Sequence, residues 1–208
     1  MKDLNEKFSY EHQYSSRWDS RLFILAGSFM LINTGLLWIR YYSNYQLSIL
    51  WAAIPAILGL ASGVFGLIKL YPRASANAPL VAKVGAGFAL LAGTSLSLTA
   101  IWIFVVFAFA EGITDPAPQG LLGLIVIFMI AMVLAFFSNA IAFLRQSVQR
   151  KVGYLLTVPL AMWGIMLVVG TIKGMEVGLS LDYYTNGVIA AAFLGLGFTL
   201  KARKMSER

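Results

Sequence analysis

Residues 84–110, VGAGFALLAGTSLSLTAIWIFVVFAFA, decide how the chain is read: 27 residues without a charge, bracketed by Lys83 and Glu111. As an α-helix this run rises about 40 Å, more than the ~30 Å hydrocarbon core of a bilayer, so it spans with tilt to spare. Its first half is built from small residues and its second half is bulky and aromatic. The first suits contact with other helices, and the second suits lipid. Lying in mid-sequence, the run is expected to be the central span.

Further charge-free runs lie on either side of it, at 22–39, 41–68, 116–144, 152–172 and 183–200. Each reaches the roughly 18 residues that a spanning helix requires. The expected fold is therefore all-α, a polytopic membrane helix bundle with six transmembrane helices. Residues 1–21 form an N-terminal segment, 22–200 the transmembrane domain and 201–208 a basic tail. The 208 residues are 59% hydrophobic and 12% charged, with a mean hydropathy of +0.77. That charged fraction is about half of what a soluble domain carries. Every Lys, Arg, Asp and Glu falls in a tail, a loop or a span end, where the cost of burying charge in lipid places it. The first apolar run begins after 21 polar residues and has no small-residue cleavage site behind it, so it reads as a retained span rather than a signal peptide.

The polar segments set the threading. The N-terminal segment, the stretch KLYPRASANAPLVAK (69–83), the loop RQSVQRK (145–151) and the C-terminal tail together hold fourteen of the sixteen Lys and Arg residues. Arg40 and Lys173 fall on the other side, where EGITDPAPQG (111–120) is acidic. Basic residues concentrate in cytoplasmic loops, so both termini are expected in the cytoplasm and the protein in the cell membrane. Residues 69–83, with two prolines and small polar residues, read as a true loop. In the N-terminal segment Tyr10, Tyr14 and Trp18 share one helical face among Lys2, Lys7, Arg17 and Arg21. This suits either an amphipathic helix in the headgroup layer or a mobile tail. His12, the single histidine, lies there and is expected to be solvated.

Small residues at helical spacing mark the expected packing positions. Gly59 and Gly63 in the second span, Gly85 and Gly93 in the third and Gly195 in the sixth allow another helix to approach closely. The small faces of these three spans should make the tightest crossings, with bulky phenylalanines turned outward. Pro55 and Pro159 can break the second and fifth spans and free backbone carbonyls. An internal match suggests a 3+3 inverted repeat: Pro55–Lys69 and Pro159–Lys173 align at an offset of 104, Phe88 and Phe193 at 105, and Asn33 and Asn139 at 106. Apolar, glycine-rich segments also match by chance, so chance similarity is the competing explanation.

Much chemistry is excluded. Cysteine is absent and no span contains a histidine, so iron–sulfur and thiolate chemistry lack ligands and haem lacks histidine or cysteine to hold it at membrane depth. The lysines lie at span ends, which removes a mid-depth Schiff base, and the serine of Gly93-Thr94-Ser95 has no base to activate it. No enzyme, cofactor or metal site is expected. The basic residues follow membrane boundaries instead of covering one folded face, so the bilayer rather than nucleic acid is the expected partner. Two functions fit: an accessory or assembly subunit of a membrane complex, alone or as a homo-oligomer, and a carrier or channel for an uncharged or lipid-like solute. The first is preferred because no ionisable group is expected inside the bundle. For the second, Asn33, Ser95, Thr99 and Asn139 are the polar groups expected along a pathway.

The segment GLIKLYPRASANAPLVAKVGA (66–86) resembles a pattern in small multi-spanning membrane proteins of archaea, particularly halophilic ones, in which a glycine-rich span ends in a Leu-Tyr-Pro-Arg-like motif. The likeness covers about the first three spans. It implies a membrane bundle and, in a family without an assigned function, no site residues. The chain departs from halophile proteins in being basic, with a formal charge of +7.

Overall fold

A computed structural model describes the backbone of residues 2–76, 78–109, 119–146 and 149–206, and the side chains of 18–76, 78–105, 120–146 and 149–202. The helices in chain order are α1 (Lys2–Tyr42), α2 (Ile49–Ser75), α3 (Pro79–Phe109), α4 (Gln119–Leu144), α5 (Arg150–Lys173), α6 (Met175–Ser180) and α7 (Asp182–Ser206). Six of these are long and apolar enough to cross a membrane: α2, α3, α4, α5, α7 and α1 from Trp18 onward. The protein is an all-α, multi-pass helix bundle.

Neighbours in sequence are neighbours in space. The helices follow one another around a ring, α1–α2–α3–α4–α5–α7, and α7 returns to pack along α1. The ring has no single central span, so α3 stands on its rim between α2 and α4 instead of at its centre. Within α3 the expected division of labour holds: Gly85, Ala89 and Ala92 are buried, whereas Ile101 and Phe104 are exposed.

Aromatic side chains fill the middle, contrary to the expectation that phenylalanines turn outward. Phe23, Phe136, Phe143 and Phe193 are completely buried, while Phe65, Phe104, Phe137 and Phe198 face out. Phe193 of α7 lies 6.0 Å from Phe23 of α1 and 6.0 Å from Phe136 of α4 between ring centroids; Phe136 continues to Trp163 of α5 at 5.3 Å. Glycine makes this possible. A β-carbon at Gly66 would stand 2.9 Å from the tip of the Phe23 ring, and one at Gly63 would stand 3.2 Å from that of Phe193. These glycines are sockets for rings, which explains why the largest side chains can occupy the interior of a narrow bundle.

The five glycines expected at crossings all lie against another helix: Gly59 on Met30, Gly63 on Phe193, Gly85 on Asn139, Gly93 on Val64 and Gly195 on Leu155. The closest crossing is nevertheless elsewhere. At Gly27 a β-carbon would come within 2.8 Å of the Ala190 carbonyl oxygen, and at Gly197 within 2.9 Å of that of Ser20, so α1 and α7 touch backbone to backbone. Among the spanning helices, the closest backbone approach therefore joins α1 and α7.

The stretch 69–83 is mostly helical, not a loop. α2 continues through Pro72 to Ser75, and α3 opens at Pro79, where the missing N–H falls on a first-turn position that has no helical partner. Only residues 76–78 connect them, and Ala78 N–H still donates to Ala74 O at 3.2 Å. Pro55 and Pro159 are buried inside α2 and α5, and neither breaks its helix. α1 runs without interruption from Lys2, so the N-terminal segment continues the first span; the side chains of Tyr10, Tyr14 and His12 lie outside the described residues, as do residues 110–118 of the acidic loop. Between α5 and α7 the short α6 was not anticipated. Gly174 turns the chain at φ +99°, and Gly178 then lies against the backbone of Gly170.

Positions paired by the internal match differ in how they pack. Gly85 of α3 meets Asn139 of α4; their counterparts under the 105 and 106 offsets, Ala190 and Asn33, flank the α7–α1 crossing within a turn of the Asn186–Asn33 hydrogen bond. The other pairing departs. Gly93 meets Val64 across α2–α3, whereas the corresponding Phe198 and Val168 both face outward.

Candidate functional site

A cavity of about 300 Å³ opens among the helices, reaching from the end marked by Leu37, Ile49 and Asp182 down to Met30, Leu60 and Leu96. Its walls are almost wholly apolar, and Trp163 stands at the inner side. The size lies at the lower end of the range for small-molecule sites, which are typically apolar with a few placed polar groups.

Four polar side chains line it: Asn33, Thr99, Asp182 and Asn186. Asn33 is a junction between three helices. Its Nδ2 donates to Ala52 O of α2 at 2.8 Å, and its Oδ1 accepts from Asn186 Nδ2 of α7 at 3.0 Å. Both asparagines are buried, so this link also fixes the helix order around the cavity. Thr185, next to Asn186, donates to Leu181 O at 3.1 Å and approaches Met166 Sδ at 3.3 Å, which holds the start of α7 against α5.

Thr99 differs from the other hydroxyls of α3. Thr94 and Ser97 donate back to Leu91 O and Gly93 O of their own helix, and Ser95 donates across to Leu124 O of α4 at 2.7 Å. The Thr99 hydroxyl is buried and has no hydrogen-bond partner among the described residues. An unpaired hydroxyl in a low-dielectric setting costs on the order of 1–3 kcal/mol, which an incoming acceptor or donor would recover.

Of the four residues expected along a pathway, the structure brings Asn33 and Thr99 to one cavity and leaves two out. Ser95 is used in the α3–α4 contact. Asn139 donates to Ala135 O of its own helix at 2.9 Å and packs on Gly85, toward the opposite end of the bundle. Asp182 and Asn186 escape a reading based on charge-free runs, because Asp182 sits at the very start of a span, where a terminal acid looks like a boundary marker. Their spacing of one helical turn is the signal that could have found them.

At the same end an aromatic collar surrounds the mouth side. Trp38 stacks on Tyr42 at 5.7 Å and meets Tyr184 edge-on at 5.8 Å, while Tyr41 meets Tyr183 at 6.0 Å. Arg40 lies over Tyr45 and donates to Leu47 O at 2.6 Å, closing the α1–α2 turn. Such rings suit the headgroup boundary, with apolar bodies and polar tips.

Neither family models, curated proteins nor solved structures give any match to this chain.

Proposed function

We propose that the protein is a membrane bundle that admits a small neutral or lipid-like solute into the cavity beside Asn33. The solute has an apolar body and a hydrogen-bonding head, and the head lies between Thr99 and the Asn33–Asn186 pair. The observation that carries this is Thr99, which lines a 300 Å³ apolar cavity and whose buried hydroxyl has no hydrogen-bond partner among the described residues. Asp182 at the rim supplies a further acceptor. The accessory-subunit reading draws on different positions: Gly35, Gly123 and Gly164, on three separate helices, each have open space where a β-carbon would stand, which would let a partner helix approach closely. We further propose that the bundle resides in the cell membrane with both termini cytoplasmic, supported by the charge asymmetry of its segments.

Trp163 lines the cavity and is a built-in reporter. With Trp18, Trp38, Trp51 and Trp102 replaced by phenylalanine, its fluorescence should be quenched saturably by 2,2,2-tribromoethanol, a neutral alcohol with an apolar body. Thr99→Val should weaken the quenching several-fold, about the worth of one hydrogen bond in a membrane. Ala56→Phe, which fills the cavity, should abolish saturation. Linear quenching that Ala56→Phe leaves unchanged would overturn the solute-binding reading, and a stoichiometric partner copurifying from mild detergent would favour the accessory one.

A further inference from the structure

A second hollow, of about 500 Å³, runs between α2 and α3 on the side turned away from the aromatic interior. Its walls include Ala61, Phe65 and Ile68 of α2 and Leu90, Gly93 and Ser97 of α3. Phe65 and Leu90 are each more than half exposed, so the hollow is open to the surroundings of the bundle. It lies wholly within charge-free segments, so those surroundings are hydrocarbon. Its hydroxyls are already satisfied, since Thr94 and Ser97 both donate back to their own helix at 2.8 Å. The walls therefore offer dispersion contacts and no hydrogen bonds, which suits an alkyl chain.

Among the described residues of α2 and α3, charge appears at one end only. Lys69 follows Phe65 by four residues and Lys83 precedes Leu90 by seven, spacings that place each lysine on the groove-facing side of its helix. Both are exposed. Gly87 lies between Lys83 and Leu90 on that side, and a β-carbon there would meet nothing within 4 Å, so the groove stays open down to the lysine. Arg73, one turn beyond Lys69, is engaged by Asp19 at 3.3 Å.

We propose that this groove binds an anionic membrane lipid, with an acyl chain along the α2–α3 hollow and the headgroup phosphate between Lys69 and Lys83. Basic side chains at the membrane boundary attract anionic headgroups, and the groove adds a fixed seat for the tail. A second copy of the chain fits less well. A two-fold contact at this face would set the lysine pairs of the two copies against each other at the same depth, where like charges repel. The site is separate from the cavity beside Asn33 and does not depend on it.

Native mass spectrometry of the full chain in mild detergent tests this, with dioleoyl phosphatidylglycerol or dioleoyl phosphatidylcholine added. One phosphatidylglycerol per chain should be retained, on the order of tenfold more tightly than phosphatidylcholine. K69Q/K83Q should remove that preference. G87W fills open space and leaves both charges in place, so it should lose retention with the fold intact by circular dichroism. R150Q/K151Q, on the same side of the membrane but away from the groove, should change nothing. Equal retention of the two lipids, retention that survives both K69Q/K83Q and G87W, or a lipid-free dimer in their place would each overturn the proposal.

Discussion

Gly27 and Gly197 set the distance between α1 and α7, because each brings a neighbouring backbone to where a β-carbon would stand. Gly27→Leu should force the helices apart and destabilise the protein by about 3 kcal/mol or more. Gly123→Leu, where a β-carbon meets nothing, should change stability by less than about 0.5 kcal/mol. Thermal unfolding in detergent compares them, and equal losses would show that the α1–α7 crossing is not close-packed. Sequence pattern found glycines in runs of small residues in the second, third and sixth spans but missed these two. Gly27 stands alone among larger residues in LFILAGSFML (22–31), and its importance appears only when Ala190 is placed opposite. Asn33 was legible as a polar group in an apolar run. Its partner Asn186 was not, since the match depends on the last helix folding back to the first.

Helix ends were harder to read than helices. The stretch 69–83 carries the composition of a loop, yet α2 continues through Pro72 to Ser75, and α3 starts at Pro79, a first position where proline costs little. The extension places Arg73 where it ties three helices together: it pairs with Asp19 of α1, and its carbonyl accepts from Gln146 Nε2, just past α4, at 3.3 Å. The Asp19 side chain is 2% exposed and that of Arg73 is 26% exposed, so the pair is partly screened. Removing one partner leaves a buried charge. Arg73→Gln should lower stability by about 1–3 kcal/mol, and Asp19→Asn in the same chain should recover part of the loss. Denaturation in detergent measures both; additive losses would mean that the two side chains are not coupled.

For the molecule as a whole, α3 was expected at the centre and stands on the rim of the ring, but the number of spans could be read from charge-free runs, because the bilayer fixes helix length. The cavity could not. It depends on which faces of six helices converge, and near-uniform apolar composition gives each helix little amphipathic signal to say so. The absence of cysteine makes the threading directly testable. A cysteine at Gln46, which is exposed in the α1–α2 turn, should react with an impermeant thiol reagent from outside intact cells, and one at Ala76 only after the cells are opened. The opposite pattern would reverse the orientation. The closed ring also bears on biogenesis. Since α1 takes α7 as a neighbour, the ring stays open until α7 is inserted, and until then the backbone at Gly27 faces lipid. A chain lacking α7 would expose this seam as a surface to which membrane quality control could bind, so docking of α7 would itself mark the bundle as assembled.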